Sequence, residues 1–310
     1  MKLSPIILFV YNRPWHTRQT IEALQRNELA DQSELFIFSD GLKNDEAKIK
    51  VEEVKYYIGD IKGFKKVAII KRESNHGLAK SIINGVTEII NEYKKVVVLE
   101  DDLITSPYFL GYMNKALEFY TDKKEIMSIS GYNHPPSLMK FPENSPYDVY
   151  LNYRNSSWGW ATRKDRWERI DWEIQDYNEF KSNKKKQKEF ARAGDDMPGM
   201  LKAQMENKID SWAIRFSYAH FKNDCYSVCP VKSYVNNIGH DGSGAHCPKT
   251  DKYLNNLSGA TKNPYFVANI SINNEIVKKF RNVYKISIVS RVKRIIKRAL
   301  QVWNGLLIKK

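Results

Sequence analysis

Short apolar runs alternate with stretches of helical periodicity through the first half of the chain. Ile6 to Val10, Leu35 to Phe38, Val67 to Ile70 and Val96 to Leu99 have the length and composition of strands. Between them, Thr17 to Asn27 and Leu78 to Tyr93 read as helices, and Asn44 to Tyr57 as a polar helical stretch. This β-α-β-α rhythm predicts an α/β fold built on a doubly wound sheet. Val96 to Leu99 has no alternating polar face, so it is expected to be a central strand covered on both sides. A helix from Tyr108 to Tyr120 and a strand from Ile126 to Ser130 are expected next. Tyr132 to Tyr147, rich in Pro and Asn, reads as a loop, and Lys181 to Arg192 as one basic, solvated helix. No internal repeat is present.

The predicted strands lead into polar loops: Tyr11-Asn12-Arg13, Ser39-Asp40-Gly41, Asn75-His76-Gly77 and Glu100-Asp101-Asp102. Ligands of open α/β sheets bind at the carboxyl ends of the strands, so these four loops are candidates for one crevice. The last is the most informative, because KVVVLEDDL ends a buried strand in three adjacent carboxylates. Like charges this close repel, and a hard divalent cation such as Mg²⁺ or Mn²⁺ relieves the repulsion while keeping positions open for substrate phosphates. A metal that holds a diphosphate is the site reading; a solvated acidic turn is the alternative. In NHGLAKSI, the start of a helix favours phosphate and Lys80 adds a point charge, whereas a capping role is the plain alternative for His76.

With 310 residues and 42% apolar content, the chain is able to bury a large core. Its net charge of +14 and pI near 9.4 admit nucleic acid, an anionic membrane or a phosphorylated substrate as partner. The opening MKLSPIILFVYNRPWH is too short an apolar run for a membrane span or a convincing signal peptide. Three cysteines, Cys225, Cys229 and Cys247, argue against a disulfide framework and fit a reducing cytoplasm. A zinc site from them with His246 has an uncommon spacing. From Ile288 to Leu307 a helical apolar stripe is flanked by Arg291, Lys293, Arg294, Lys297 and Arg298, the pattern of a basic amphipathic helix for an anionic membrane surface. Packing of that stripe on protein is the alternative.

The stretch VVVLEDDLITSPYFLGYMNKAL, followed by EIMSISGYN, resembles GT-A fold glycosyltransferases. It is most similar to the family of the Golgi N-acetylglucosaminyltransferase I, in the acidic metal motif and in the helix and strand after it. The likeness continues more weakly through SSWGWATRKDRW, IDSWAIR and GHDGSGAH, and covers roughly residues 4 to 247. It implies a GT-A, Rossmann-like, doubly wound mixed sheet. It also implies that Asp102 binds Mn²⁺ (or Mg²⁺), that Glu100 and Asp101 contact the donor's sugar and ribose, and that Arg13, with Tyr11 and Asn12 in its loop, lies near the nucleotide. Asp40 matches the acid that meets uracil or ribose, with a turn residue before Gly41 as the alternative. Asp210 matches the catalytic base of an inverting transferase, although the family's second acid is Ser211 here; Asp195 and Asp196 in GDDMPG are rival bases. Trp158, Gly159 and Trp160 are expected to wall the sugar pocket, or else to be ordinary core. His246 matches a histidine in the family's closing loop, beside the donor.

These readings lead to a domain at 1–262, with a nucleotide-sugar half at 1–131 and an acceptor and catalytic half at 132–262, followed by a basic tail at 263–310. The expected activity is a metal-dependent inverting transfer from a UDP-sugar to a glycan or lipid-linked glycan acceptor in bacterial surface polysaccharide synthesis. The expected place is the cytoplasm, peripheral on the inner face of the membrane. The family enzymes carry an N-terminal membrane anchor, and none is expected here from the opening residues. A nucleotidyltransferase acting on sugar phosphates and a nucleic-acid-binding protein are the competing readings. The first usually has a Gly-rich N-terminal phosphate loop, absent from VYNRPWHT, and the second expects basic residues on the aromatic half; no nucleic acid is expected.

Overall fold

The computed structural model describes residues 2–142, 147–243 and 249–285. In chain order its elements are β1 (Ile6–Val10), α1 (Pro14–Gln25), β2 (Glu34–Ser39), α2 (Lys48–Ile58), β3 (Lys66–Lys71), α3 (Leu78–Tyr93), β4 (Lys95–Glu100), β5 (Leu103–Thr105) and α4 (Phe109–Phe119). There follow β6 (Ile126–Ser130), β7 (Val149–Asn152), β8 (Trp160–Arg163), α5 (Lys164–Trp167), α6 (Tyr177–Ser182), α7 (Lys184–Phe190), α8 (Met197–Met205), α9 (Trp212–Lys222), β9 (Tyr226–Pro230), β10 (Val235–Asn237) and α10 (Asn274–Val283).

Among the described residues one sheet holds eight strands in the order β3-β2-β1-β4-β8-β6-β9-β7. The first four are parallel, whereas β8 runs antiparallel to both β4 and β6 and makes the sheet mixed. The register pairs Val10 with Ser39, Phe9 with Glu100 and Ser39 with Lys71, so the carboxyl ends of the parallel strands lie along one edge. That alignment brings loops distant in sequence to a common crevice.

The unbroken apolar runs find cover on both faces. Ile6, Leu8, Leu35, Ile37, Val97 and Leu99 pack with Ile21 and Leu24 of α1, Val54 and Ile58 of α2, and Leu110 and Met113 of α4. The intervening Ile7, Phe9, Phe36, Phe38, Val96 and Val98 pack with Ile82, Val86 and Ile89 of α3 and with Trp212 and Phe216 of α9. Full burial of each such side chain stabilises the fold by about 1.5–3 kcal/mol.

The structure departs from the sequence reading in four places. First, α1 begins at Pro14 rather than Thr17, since proline's fixed φ suits the first helical turn, where its missing N–H is not needed. Second, the expected helix from Lys181 to Arg192 is two helices broken at Asn183, whose side chain accepts from the Lys186 amide and caps α7. Third, a two-stranded ribbon of β5 with β10 pairs Leu103 with Asn237 and ties the loop after β10 to the acidic end of β4. Fourth, α10 lies beyond the boundary at 262, yet it buries Ile276 and Phe280 against Met139, Tyr150 and Cys229 of the domain. Residues 288–307 and His246 lie outside the described residues, and no helix among the described residues is long and apolar enough to cross a membrane.

Candidate active site

The end of β4 is the centre of a dense polar cluster. Thr20 of α1 donates its hydroxyl to the Asp101 carbonyl at 2.8 Å and accepts from the Leu103 amide at 3.0 Å, which pins the turn that carries Asp101 and Asp102. Arg13, in the loop after β1, places its Nη1 2.9 Å from Asp102 Oδ2 and 3.6 Å from Asp101 Oδ1. Burial alone lowers the affinity of this guanidinium for its proton, but the two carboxylates outweigh burial and raise its pKa. Its Nε and Nη2 are buried with no protein partner. The carboxylates suffer in turn. Burial first, then the charges of Asp102 and Asp101, push Glu100 up to about 8, against a counteracting hydrogen bond from Trp212. Burial and Asp102 likewise raise Asp101, although the Tyr11 backbone donates to it.

The ribbon supplies the other side. Asn237 donates its amide to Asp102 Oδ1 at 3.3 Å and accepts from the Gly239 N–H at 2.8 Å and from His240 at 3.1 Å. Gly239 lies so close that a Cβ on it would stand 2.1 Å from Asp102 Oδ2 and 2.7 Å from Arg13 Nη2. His240 is held near the same carboxylate; burial lowers its pKa and Asp102 partly offsets this. Beyond it, Asp241 reaches back to His16 of α1, Oδ2 to Nε2, at 3.0 Å.

The cluster fits a divalent cation in its chemistry: three adjoining carboxylates, two of them forced toward protonation, with an imidazole alongside. Among the described residues no group of three His, Cys, Asp or Glu side chains is arranged to hold a metal ion by itself. A cation here would take Asp102, with His240 adjacent, and complete its shell from substrate oxygen and water, as Mg²⁺ and Mn²⁺ do at phosphate sites.

The second crevice loop is organised by Asp40. Its carboxylate accepts from the amides of Gly41 at 3.0 Å, His76 at 2.9 Å and Gly77 at 3.1 Å, and so fixes the turn before α3. Both oxygens are thereby engaged, as the turn-residue reading expects. His76 Nδ1 lies 3.1 Å from Arg72 Nη1, and since arginine only donates, that nitrogen accepts. Tyr11 accepts from the Lys43 amide through its hydroxyl, Asn12 is half-buried beside it, and Lys80 is exposed in the first turn of α3.

The candidate bases differ in their surroundings. Asp210 is exposed just before α9, with its Oδ1 3.4 Å from Arg215 and its Oδ2 3.8 Å from where a Gly77 Cβ would stand. Ser211 caps α9 by accepting from the Ile214 amide, and the next residue, Trp212, donates to Glu100. Asp210 is therefore anchored to the crevice through its neighbours. Asp195 is paired with Arg281 at 2.7 Å and Asp196 with Arg154 at 2.9 Å.

The family comparison fits this arrangement. The model of glycosyl transferase family 2 matches residues 6–196. The chain belongs to that family. It is a glycosyltransferase with a GT-A fold, and the crevice at the end of β4 is its candidate donor site. Among solved structures, the chain is similar to the mannosyltransferase PcManGT from Pyrobaculum calidifontis in complex with GDP-Man and Mn²⁺. The identity is 13%, the TM-score 0.37, and the match covers 54% of this chain and 46% of that one. It is also similar to S. aureus TarS 1–349, at 14% identity and TM-score 0.40, covering 78% of this chain and 62% of that one. The chain thus spans less than two thirds of either protein. No curated protein matches it.

A cavity of about 460 Å³ extends from His240 to Ser211, between the carboxylate cluster and α10. Trp158 lines it. Trp160, expected on a pocket wall, is instead 1% exposed in a stack with Trp167 and Trp212, because β8 pairs it with Val98 in the middle of the sheet. The ordinary-core alternative applies to it. Sequence reasoning missed Asn237 and His240. Their signal is GHDG, a glycine-flanked histidine after a short strand, six residues before the His246 that was singled out.

Proposed function

We propose that this family 2 enzyme moves a sugar from a UDP-sugar to a hydroxyl of a glycan or lipid-linked glycan with inversion at the anomeric carbon, in bacterial surface polysaccharide synthesis. The observation that carries the reading is Arg13. Its charge is matched by Asp101 and Asp102, yet two of its nitrogens are buried without partners, and phosphate oxygens are what such donors take. Asp102 would hold a divalent cation, Mn²⁺ or Mg²⁺, which when bound would supply charge neutralisation to the diphosphate.

The chain's residues divide the remaining work. Arg13 holds diphosphate oxygen; Glu100 and Asp101 sit where the sugar and ribose lie; Asp40 keeps the His76 turn in shape around the nucleoside. Asp210 takes the proton of the acceptor hydroxyl as that oxygen bonds to the anomeric carbon and the bond to UDP breaks. Its exposure supports this role over its rivals, since Asp195 and Asp196 are held closer by their guanidinium partners, at 2.7 and 2.9 Å, than Asp210 is by Arg215, at 3.4 Å. The resemblance to the N-acetylglucosaminyltransferase I family is the support for N-acetylglucosamine as the sugar. The basic stripe at 288–307 is the support for a place on the inner face of the cytoplasmic membrane.

Calorimetric titration of UDP, with and without Mn²⁺, on wild type and Asp102→Ala tests the donor site. Binding that needs both Mn²⁺ and Asp102 is expected; Mn²⁺-dependent binding by the variant as tight as that of wild type would remove Asp102 as its ligand. Co-sedimentation with anionic against zwitterionic vesicles tests the membrane placement, which fails if the two bind alike.

A further inference from the structure

The cavity beside the donor site owes part of its wall to residues outside the family match. Phe280 and Tyr284, at the end of α10, line it together with Tyr132, His134, Arg154 and Trp158. The Trp158 ring lies 4.4 Å from Tyr132, 5.3 Å from His240 and 5.8 Å from Tyr253, centre to centre, which makes an aromatic enclosure.

Arg154 is the one formally charged side chain among the described residues that line the cavity. Its Nη1 donates to both oxygens of Asp196, at 2.9 and 3.0 Å, and its guanidinium lies 4.0 Å from the centre of the Tyr284 ring. The pair is locked by close backbone approach at Gly194, whose φ is +150°. A Cβ there would stand 2.5 Å from Asp196 Oδ1 and 2.9 Å from Arg154 Nη1. His134 sits between two phenols, 3.4 Å from the Tyr132 hydroxyl and 3.1 Å from that of Tyr284. Burial first, then Arg154 and Lys252, push His134 down to about 4, so it is neutral at pH 7. A chain of net charge +14 thus surrounds a cavity whose wall carries no unmatched charge.

We propose that this cavity is the acceptor subsite and takes an uncharged sugar ring, a hexose or N-acetylhexosamine residue bearing neither carboxylate nor phosphate. The inference rests on the glycosyl-transfer reading and specifies its acceptor. Apolar ring faces of Trp158 and Tyr253 suit sugar C–H surfaces, and the Arg154–Asp196 and His134–Tyr284 pairs offer donors and acceptors to hydroxyls. A carboxylate or phosphate would lose its hydration to a guanidinium already matched by Asp196, an unfavourable exchange.

The test is transfer from labelled UDP-sugars to acceptor glycosides that share one ring: the hexoside, the N-acetylhexosaminide, the uronide and the 6-phosphate. The neutral members are expected to show kcat/KM at least about tenfold above their anionic counterparts. Asp196→Asn, which leaves Arg154 unmatched, should narrow that ratio by about fivefold or more in favour of the uronide. Preference of the wild type for the uronide or phosphate overturns the inference, as does an unchanged ratio in a folded Asp196→Asn protein; if that variant does not fold, the wild-type ratio decides. Release of UDP from the donor without acceptor reads the wider function separately. Release combined with anionic preference sinks the acceptor assignment alone, whereas no binding or turnover of any nucleotide sugar sinks both.

Discussion

Single residues in this site act through atoms supplied by distant parts of the chain. Asp102 is legible in the sequence as the last acid of a local triplet, but its partners Arg13, Asn237 and Gly239 come from other elements, and no local pattern marks the contact. Gly239→Ala would drive a methyl group into the Asp102 carboxylate. We expect UDP affinity in the presence of Mn²⁺ to fall about tenfold or more with the fold intact, as read by calorimetry and circular dichroism. For Asp210→Asn we expect transfer to drop at least about a hundredfold, with UDP affinity unchanged; retained transfer would point to another base. His220 allows a pH prediction. Its Nδ1 donates to the Phe216 carbonyl at 2.8 Å and its Nε2 lies 2.8 Å from the Ser128 hydroxyl, an arrangement that the neutral ring satisfies. Burial pushes it from 6.5 down to about 4. Above pH 6.5 both folded and unfolded chains carry it neutral. As pH falls from 6.5 toward 4 the unfolded chain takes a proton that the folded one refuses, so stability drops, by up to about 3 kcal/mol at the lower end. Urea midpoints across that range should fall for wild type and fall less for His220→Gln.

At the scale of elements, the best-read parts are those whose signal is local. The helix at Leu78–Tyr93 and the strand at Ile126–Ser130 match the periodicity to the residue, and β1 to β4 agree within one. The ribbon strands β5 and β10 escaped because three residues, such as Val-Asn-Asn, carry no period; pairing across the fold is what makes them strands. The break at Asn183 escaped because a uniformly basic run masks a capping residue. Two element-scale changes probe this. Ser211→Ala removes the cap of α9 and should cost about 1 kcal/mol of stability in urea titrations. Phe280→Ala, in the buried face of α10, should cost about 3 kcal/mol if α10 is an integral part of the domain, and near nothing if residues 263–285 are a detachable tail.

Over the whole molecule, the excess of 50 basic over 36 acidic side chains repels itself, and salt screens that repulsion. The thermal midpoint should rise by a few degrees between low and physiological salt; a flat response in calorimetry would mean the excess charge is already compensated within the fold. By itself the sequence determined the class of the fold, since continuous apolar strands spaced by amphipathic helices have few arrangements that cover both faces. It also determined the acidic centre at the end of β4, because adjacent carboxylates after a buried strand are a local pattern. Only the tertiary structure decided which residues stand around that centre. It put Trp160 in the core and left Trp158 on the cavity wall, brought His240 to Asp102 through the ribbon, matched Arg154 with Asp196, and closed the cavity with α10. The reason is that contacts between residues far apart in the chain depend on strand order and register, and these emerge from packing the whole sheet rather than from any window of sequence.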